Sequence, residues 1–229
     1  EYDTSKYSLV GQKFKFKVTV SGTFKYKGEV YEEKSLTFEP EIEAVGENDV
    51  GKPWTSDEFV WYGEDAPNFV VEEVNIPEGA EFVNITPSSG TLQKDGTVKV
   101  IALNKQKIVG ASLDVIKILE NSEYLTEDEL KTKEFKFTVH VDGYEDVEIV
   151  TDQLSREFIN GEYKWIYKGN NAPYYTWAYG NEPNYTITEH DNPAGTEFVT
   201  AYAEGATLNG QTLSGTLKAD ESKDFIVQN

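Results

Sequence analysis

Apolar and polar residues alternate along much of the chain with a period of two, the pattern of half-buried strands. Phe14, Phe16, Val18 and Val20 alternate with Lys13, Lys15, Lys17 and Thr19, and Phe135, Phe137, Val139 and Val141 repeat the pattern later. Clusters of turn formers (Pro87-Ser-Ser-Gly90, Gly169-Asn-Asn171, Asn209-Gly210) punctuate the runs. One helix start stands out. Thr126-Glu127-Asp128-Glu129, ahead of Leu130, has the spacing of a capping box and predicts a short helical crossover inside a β-domain. Antiparallel strands at this spacing predict an all-β fold built of Ig-like β-sandwiches.

The pattern is also duplicated. Residues 59–83 align with 175–199 at a constant offset of 177 − 61 = 116, with nine identical pairs in 25 positions, among them Trp61/Trp177, Pro67/Pro183, Glu73/Glu189 and Phe82/Phe198. A second anchor sets Phe14-Lys-Phe-Lys-Val18 against Phe135-Lys-Phe-Thr-Val139 at an offset of 135 − 14 = 121, so a short indel separates the two blocks. Two tandem domains are therefore expected, 1–108 and 109–229. The boundary lies near Lys107–Gly110, just after the strand Val98–Asn104.

Composition narrows the function classes. Acidic residues outnumber basic ones 41 to 21, a formal net charge of −20, which repels nucleic acid and anionic membrane surfaces. No apolar run approaches a membrane span. There is no cysteine, hence no disulfide, thiol chemistry or thiolate metal site. There is no methionine either, so Glu1 is not a translation start and the chain reads as a processed or excised piece. No cofactor or metal is expected: His140 falls on a polar strand face and His190 beside a loop, while Asp142, Asp146, Asp152 and Asp191 read as solvated loop acids. Carboxylate pairs abound, yet sequence context marks none as an acid/base pair, and no turnover enzyme is expected.

Three strands of the second copy carry a polar residue where the alternation calls for an apolar one. Lys117 shares a face with Leu113, Val115 and Leu119; Glu189 with Tyr185 and Ile187; Asn229 with Phe225 and Val227. Isolated buried charges are costly, so such groups need one another. A lysine desolvated among aliphatic and aromatic groups loses its proton readily, and the free amine is a nucleophile. A glutamic acid in the same surroundings can polarise an asparagine carboxamide and shuttle protons, and the fold supplies proximity. The product is a Lys–Asn isopeptide bond, with loss of ammonia.

Ser112-Leu-Asp-Val-Ile-Lys117, Phe135-Lys-Phe-Thr-Val139, Tyr185-Thr-Ile-Thr-Glu189 and the closing Phe225-Ile-Val-Gln-Asn229 together resemble the isopeptide-forming domains of Gram-positive surface proteins. The likeness is to the major-pilin type of streptococcal T-antigens, with the collagen-adhesin B-type (Cna-B-like) domains as near relations. It implies a bond between Lys117 on a first strand and Asn229 on a last one, assisted by Glu189. Glu73 would play the same part in the first copy, with Asn104 as the amide. The first copy departs from the pattern in its lysine. Lys13, Lys15 and Lys17 lie on the polar strand face, and Lys6 has Thr4 and Ser8 as same-face neighbours. Three alternatives stand: the first strand was removed with the native N-terminus, Lys6 serves in an irregular strand, or this copy forms no bond. Loss of the strand would leave an edge open to another strand.

The function expected is that of an extracellular, cell-surface or cell-wall-anchored stalk or pilin-type module, stiffened by single-turnover cross-linking. Its partners would be neighbouring subunits of a fibre or a host extracellular ligand. The alternative is a carbohydrate- or host-protein-binding adhesin module using exposed Trp54, Trp61, Trp165 or Trp177 with Tyr62, Tyr174, Tyr175 and Tyr179.

Overall fold

The computed structural model describes residues 9–46, 49–50, 52–120, 124–169 and 171–229. Lys6 lies outside them. The chain divides into two compact units, Glu1–Lys107 and Ile108–Asn229. Both are β-structures, and one four-residue helix is the whole α content of the described residues.

The first unit contains β1 (Lys13–Tyr26), β2 (Glu29–Phe38), β3 (Glu41–Gly46), β4 (Asp49–Val50), β5 (Phe59–Val60), β6 (Asn68–Asn75), β7 (Ala80–Thr86), β8 (Ser89–Thr91) and β9 (Ile101–Gln106). The long β1 organises one sheet, pairing with β2, β3, β5 and β6 along its length. Its alternation does what the sequence predicts: Phe14, Phe16, Val20 and Phe24 are buried, while Lys13, Lys15 and Lys17 pair with Glu41, Glu39 and Glu72 on the outside. β7 and β9 form a separate two-stranded sheet. β9 begins at Ile101, three residues after the Val98 start the alternation marks, and Ala102, with Val98 and Val100 before the strand, reaches the core only half-buried.

The second unit contains β10 (Ile108–Leu119), α1 (Glu127–Leu130), β11 (Phe135–Val141), β12 (Val147–Ile159), β13 (Glu162–Gly169), β14 (Tyr174–Ala178), β15 (Asn184–His190), β16 (Thr200–Tyr202), β17 (Thr207–Asn209), β18 (Thr212–Thr216) and β19 (Ser222–Gln228). Thr126 caps α1 through the reciprocal box read from the sequence, with Thr126 Oγ1 accepting from the Glu129 amide and the Glu129 carboxylate accepting from the Thr126 amide. The strands form one continuous ten-stranded sheet. β12 makes it continuous, pairing with β11 through its first residues and with β13 through the rest, past a register shift at Thr151–Gln153. The sheet folds over on itself as a sandwich does, because side chains of β10 and β15 meet although β13, β12 and β11 lie between them in the ladder. Phe135, Phe137, Val139, Val115, Leu113, Ile166 and Phe225 are wholly excluded from solvent.

β10 starts at Ile108, four residues before the run Ser112–Glu120 that the alternation marks out. The extra residues pair with β14, Gly110 lying opposite Thr176. Their apolar–small composition (Ile108, Val109, Gly110, Ala111) has no period, which hides the strand from a pattern reading. Gly110 is needed there. A Cβ at this position would come within 2.5 Å of the Tyr175 carbonyl oxygen and 2.6 Å of Tyr174 Oη. Gly110→Ala is therefore expected to destabilise the second unit by about 1–3 kcal/mol, read as a lower urea midpoint.

Candidate functional site

β10, β15 and β19 bring Lys117, Glu189 and Asn229 together. β10 and β19 run side by side and parallel, with Lys117 opposite Val227. The Asn229 amide donates to the Ile118 carbonyl at 3.1 Å, and the Glu120 amide donates to the Asn229 carbonyl at 2.8 Å, so the asparagine backbone is held on both groups. Glu189 approaches from the opposite face on β15, where it pairs across to Phe137 of β11. Lys117 Nζ donates to Glu189 Oε1 at 2.6 Å, and Asn229 Nδ2 donates to the same oxygen at 3.2 Å. Amine and carboxamide thus converge on one carboxylate oxygen.

The site is dry. Lys117, Glu189 and Asn229 are 0%, 2% and 8% exposed. The Phe135 and Phe137 rings lie 5.0 and 5.9 Å from Lys117 Nζ and supply apolar walls with a weak cation–π attraction. Burial pulls the Lys117 ammonium down from 10.5 to about 8, against the opposing hydrogen bond and charge of Glu189. Glu189 Oε2 and Asn229 Oδ1 are buried with no hydrogen-bond partner. Each such orphan costs about 1–3 kcal/mol in a finished structure, so the three groups are well placed but not fully satisfied.

The first unit assembles two of the three. Glu73 on β6 lies opposite Phe16 of β1, as Glu189 lies opposite Phe137. Asn104 Nδ2 on β9 donates to Glu73 Oε1 at 2.9 Å. Glu73 Oε2 and Asn104 Oδ1 are buried without partners, the same two atoms that are orphaned in the second unit. Desolvation raises the Glu73 carboxyl above its usual value, and the Asn104 hydrogen bond holds it back in part. Lys13, Lys15, Lys17 and Lys105 pair instead with Glu41, Glu39, Glu72 and Glu81.

The aromatic residues divide. Trp177 is 2% exposed and belongs to the core, as does Tyr175, while Trp61 and Trp165 are half-buried. Trp54 packs against Phe38 with 38% exposure, and Tyr62 and Tyr174 are open to solvent. A sugar-stacking role for Trp177 or Tyr175 is thus excluded by burial.

One residue of the same strand face escapes the pattern reading. Lys223, six residues before Asn229 on β19, is 4% exposed, lies over the Tyr185 ring at 5.8 Å and pairs with Glu221 at 3.5 Å. The alternation Lys223, Phe225, Val227, Asn229 already contains it. It sits about 20 Å along the strand from Asn229, too far to compete with Lys117.

No family model and no curated protein matches the chain. Among solved structures it is similar to a bacterial adhesin from Mobiluncus mulieris that contains intramolecular disulfide, isopeptide and ester bond cross-links, at 12% identity and a TM-score of 0.36, covering 96% of this chain and 85% of that one. It is also similar to two major pilin proteins of Streptococcus pyogenes. The T-13 pilin gives 14% identity, a TM-score of 0.30 and coverage of 100% and 93%; the T3.2 pilin gives 15%, 0.28, and 100% and 94%.

Removing the cation should expose the cost of the buried acid. In an Asn229→Ala background, adding Lys117→Met is expected to destabilise the second unit by about 3–5 kcal/mol, and adding Glu189→Leu as well to recover most of the loss, both read by urea unfolding. A pH dependence follows in Asn229→Ala, where no amide can form. The folded value near 8 lies below the unfolded value of 10.5. Between them the unfolded chain binds the extra proton. Stability is therefore lowest below pH 8, rises through the window and levels off above it, by up to about 3 kcal/mol. Asn229→Ala/Lys117→Met, carried through the same titration, should lack the rise.

Proposed function

We propose that the chain is an extracellular structural module, a stalk or pilin-type segment of a cell surface, whose second unit closes a Lys117–Asn229 isopeptide bond once. The observation that carries this reading is the convergence of a desolvated amine and a carboxamide on Glu189 Oε1 at 2.6 and 3.2 Å. The proton passes from Lys117 Nζ to Glu189 along the short hydrogen bond, leaving a neutral amine that burial already favours. The amine attacks Asn229 Cγ and a Nζ–Cγ bond forms; Glu189 hands its proton to Nδ2 and takes the second proton from Nζ as the Cγ–Nδ2 bond breaks, and the nitrogen leaves as ammonia or, if it takes that second proton too, as ammonium. The carboxylate is regenerated or left protonated according to whether ammonium or ammonia departs. Nothing turns over, and each chain reacts once.

The topology says what such a bond would do. β10 opens the second unit and β19 closes it, in parallel and adjacent. A pull on the two ends shears that strand pair. A bond from Lys117 to Asn229 carries the load along Ile108–Lys117 straight to Asn229 and shields the intervening chain. The loop it closes holds 229 − 117 + 1 = 113 residues, for which the chain-entropy model gives about 5 kcal/mol of stabilisation. A chain without cysteine gains by this route a staple that reducing conditions do not open.

The decisive measurement is the intact mass of the denatured chain. One ammonia should be missing, and Glu189→Ala should restore the full calculated mass while the chain remains folded by circular dichroism. The full mass in the unaltered chain would leave an ordinary pair of β-domains with a buried ion pair.

A further inference from the structure

The crossover from β10 to β11 contains α1, and a four-residue helix is too short to stand without support. Its burial shows where it is used. Glu127, Asp128 and Glu129 are exposed, and Leu130 alone is wholly buried. The capping box at Thr126 fixes the helix start. The segment's far end is fastened at two places. Tyr167 Oη on β13 donates to the Leu130 carbonyl at 2.8 Å, and Lys133 Nζ donates to the Ala194 carbonyl at 3.4 Å. Ala194 lies in the loop that follows β15, so the segment joins the strand beside Lys117 to the strand that carries Glu189.

Tyr167 links the helix to the site. It stands directly opposite Lys117 in the β10–β13 ladder, so the two side chains share a face with Cβ atoms about 5 Å apart. Its ring meets the Phe135 ring edge-on at 5.1 Å, and the Phe135 ring lies 5.0 Å from Lys117 Nζ. Tyr167, Leu130 and Phe135 are all 0% exposed. Burial pushes the Tyr167 phenol up to about 12, so it remains a neutral donor to Leu130 while Lys117 titrates. Glu189 supplies the charge that faces Lys117, and the wall of Tyr167, Phe135 and Phe137 adds none.

We propose that α1 is the stopper of the Lys117 pocket and that Tyr167 is a positioning residue, holding the stopper in place through the Leu130 carbonyl and so keeping water from the amine. Docking of the helix is then the event that makes the amine reactive. Before it docks, water stabilises the Lys117 ammonium; afterwards the ammonium has Glu189 to share its proton with. The consequence for the pace of amide formation rests on the function proposed above. The exclusion of water does not.

That exclusion is read in Asn229→Ala, where no amide can form, by following lysine NMR signals through pH, with Lys117→Met identifying the signal of Lys117. The midpoint near 8 should rise by about one unit toward 10.5 on adding Tyr167→Phe, and likewise on adding Leu130→Ala. Thr126→Ala, which loosens the helix from its exposed start, should shift it in the same direction and by less. Leu217→Ala is the control. Leu217 is equally buried, but its amide donates to the Pro183 carbonyl, beside the end of β15 remote from Glu189. It should lower the urea midpoint without moving the lysine. An unmoved lysine in Leu130→Ala overturns the stopper, an unmoved lysine in Tyr167→Phe overturns the tie, and an equal shift in Leu217→Ala overturns both. The pace is read in chains that keep Asn229, by cell-free pulse synthesis, quenching in denaturant and intact mass. Tyr167→Phe should slow the loss of ammonia about tenfold, since below the midpoint each unit of rise leaves about tenfold less free amine. A shifted midpoint with an unchanged pace upholds the stopper and overturns its part in the reaction. A full mass in the unaltered chain overturns the bond and leaves the lysine titration to decide the stopper.

Discussion

A lysine ammonium loses several kcal/mol of hydration on leaving water, and the second unit places one where no solvent reaches it. The groups around it follow from that constraint. Glu189 must stand within contact distance across the sandwich, since without a counter-charge the ammonium would not stay folded inside. Phe135 and Phe137 seal the pocket and so deepen the desolvation. The pair is then held at a cost that the ion pair alone does not repay, as the fall of the lysine toward 8 indicates. The amide proposed above would relieve that cost, since a neutral N–H is far cheaper to bury than an ammonium.

The strand order turns this local chemistry into a property of the whole unit. Parallel pairing of neighbouring strands requires a long crossover, and here the crossover is the rest of the domain, from α1 through β18. Lys117 and Asn229 are therefore almost as far apart in sequence as the unit allows and adjacent in space. The ladder beside them is regular from Ser112 opposite Ser222 to Ile118 opposite Gln228, so the pair sits at the end of an uninterrupted seven-rung seam. Every rung of this parallel seam has the same separation, 222 − 112 = 228 − 118 = 110, so a tie anywhere along it closes a loop spanning nearly the whole unit.

How much of this the sequence discloses depends on the physical reach of a period-two pattern. Alternation tells which face of a strand a residue occupies, and it placed Lys117, Glu189 and Asn229 inward because each follows two or more apolar residues in phase. The capping box of α1 was legible because it is a local exchange of two hydrogen bonds. Partners are another matter. That β12 passes from one face of the sandwich to the other depends on a register shift at Thr151–Gln153, which no composition marks. The start of β10 was invisible because Ile108–Ala111 lacks alternation. Trp177 is an example of the limit on aromatics: a large ring is equally at home in a core or on a binding face, and only its neighbours decide. Lys223 was missed although it lay in the same phase, because its flanking residues Ser222 and Asp224 made the strand start look polar.

The two units together separate what a residue contributes from what its surroundings contribute. Phe16 opposite Glu73 repeats Phe137 opposite Glu189, and in both units an asparagine donates to the glutamate Oε1. The acid and the amide are therefore positioned by β1/β6/β9 and by β11/β15/β19 without help from the lysine strand. Dryness is not. Glu73 and Asn104 are half-buried where Glu189 and Asn229 are 2% and 8% exposed, and Trp61 is half-buried where Trp177 is 2% exposed. The strand equivalent to β14 shrinks to the two residues of β5, which pair with β1, whereas β14 pairs with β10. In the second unit β10 pairs with β14 and β19 and its Lys117 meets Glu189, so it contacts each of these places. A single strand, β10, thus brings the lysine and much of the burial that pulls its ammonium below the ordinary value.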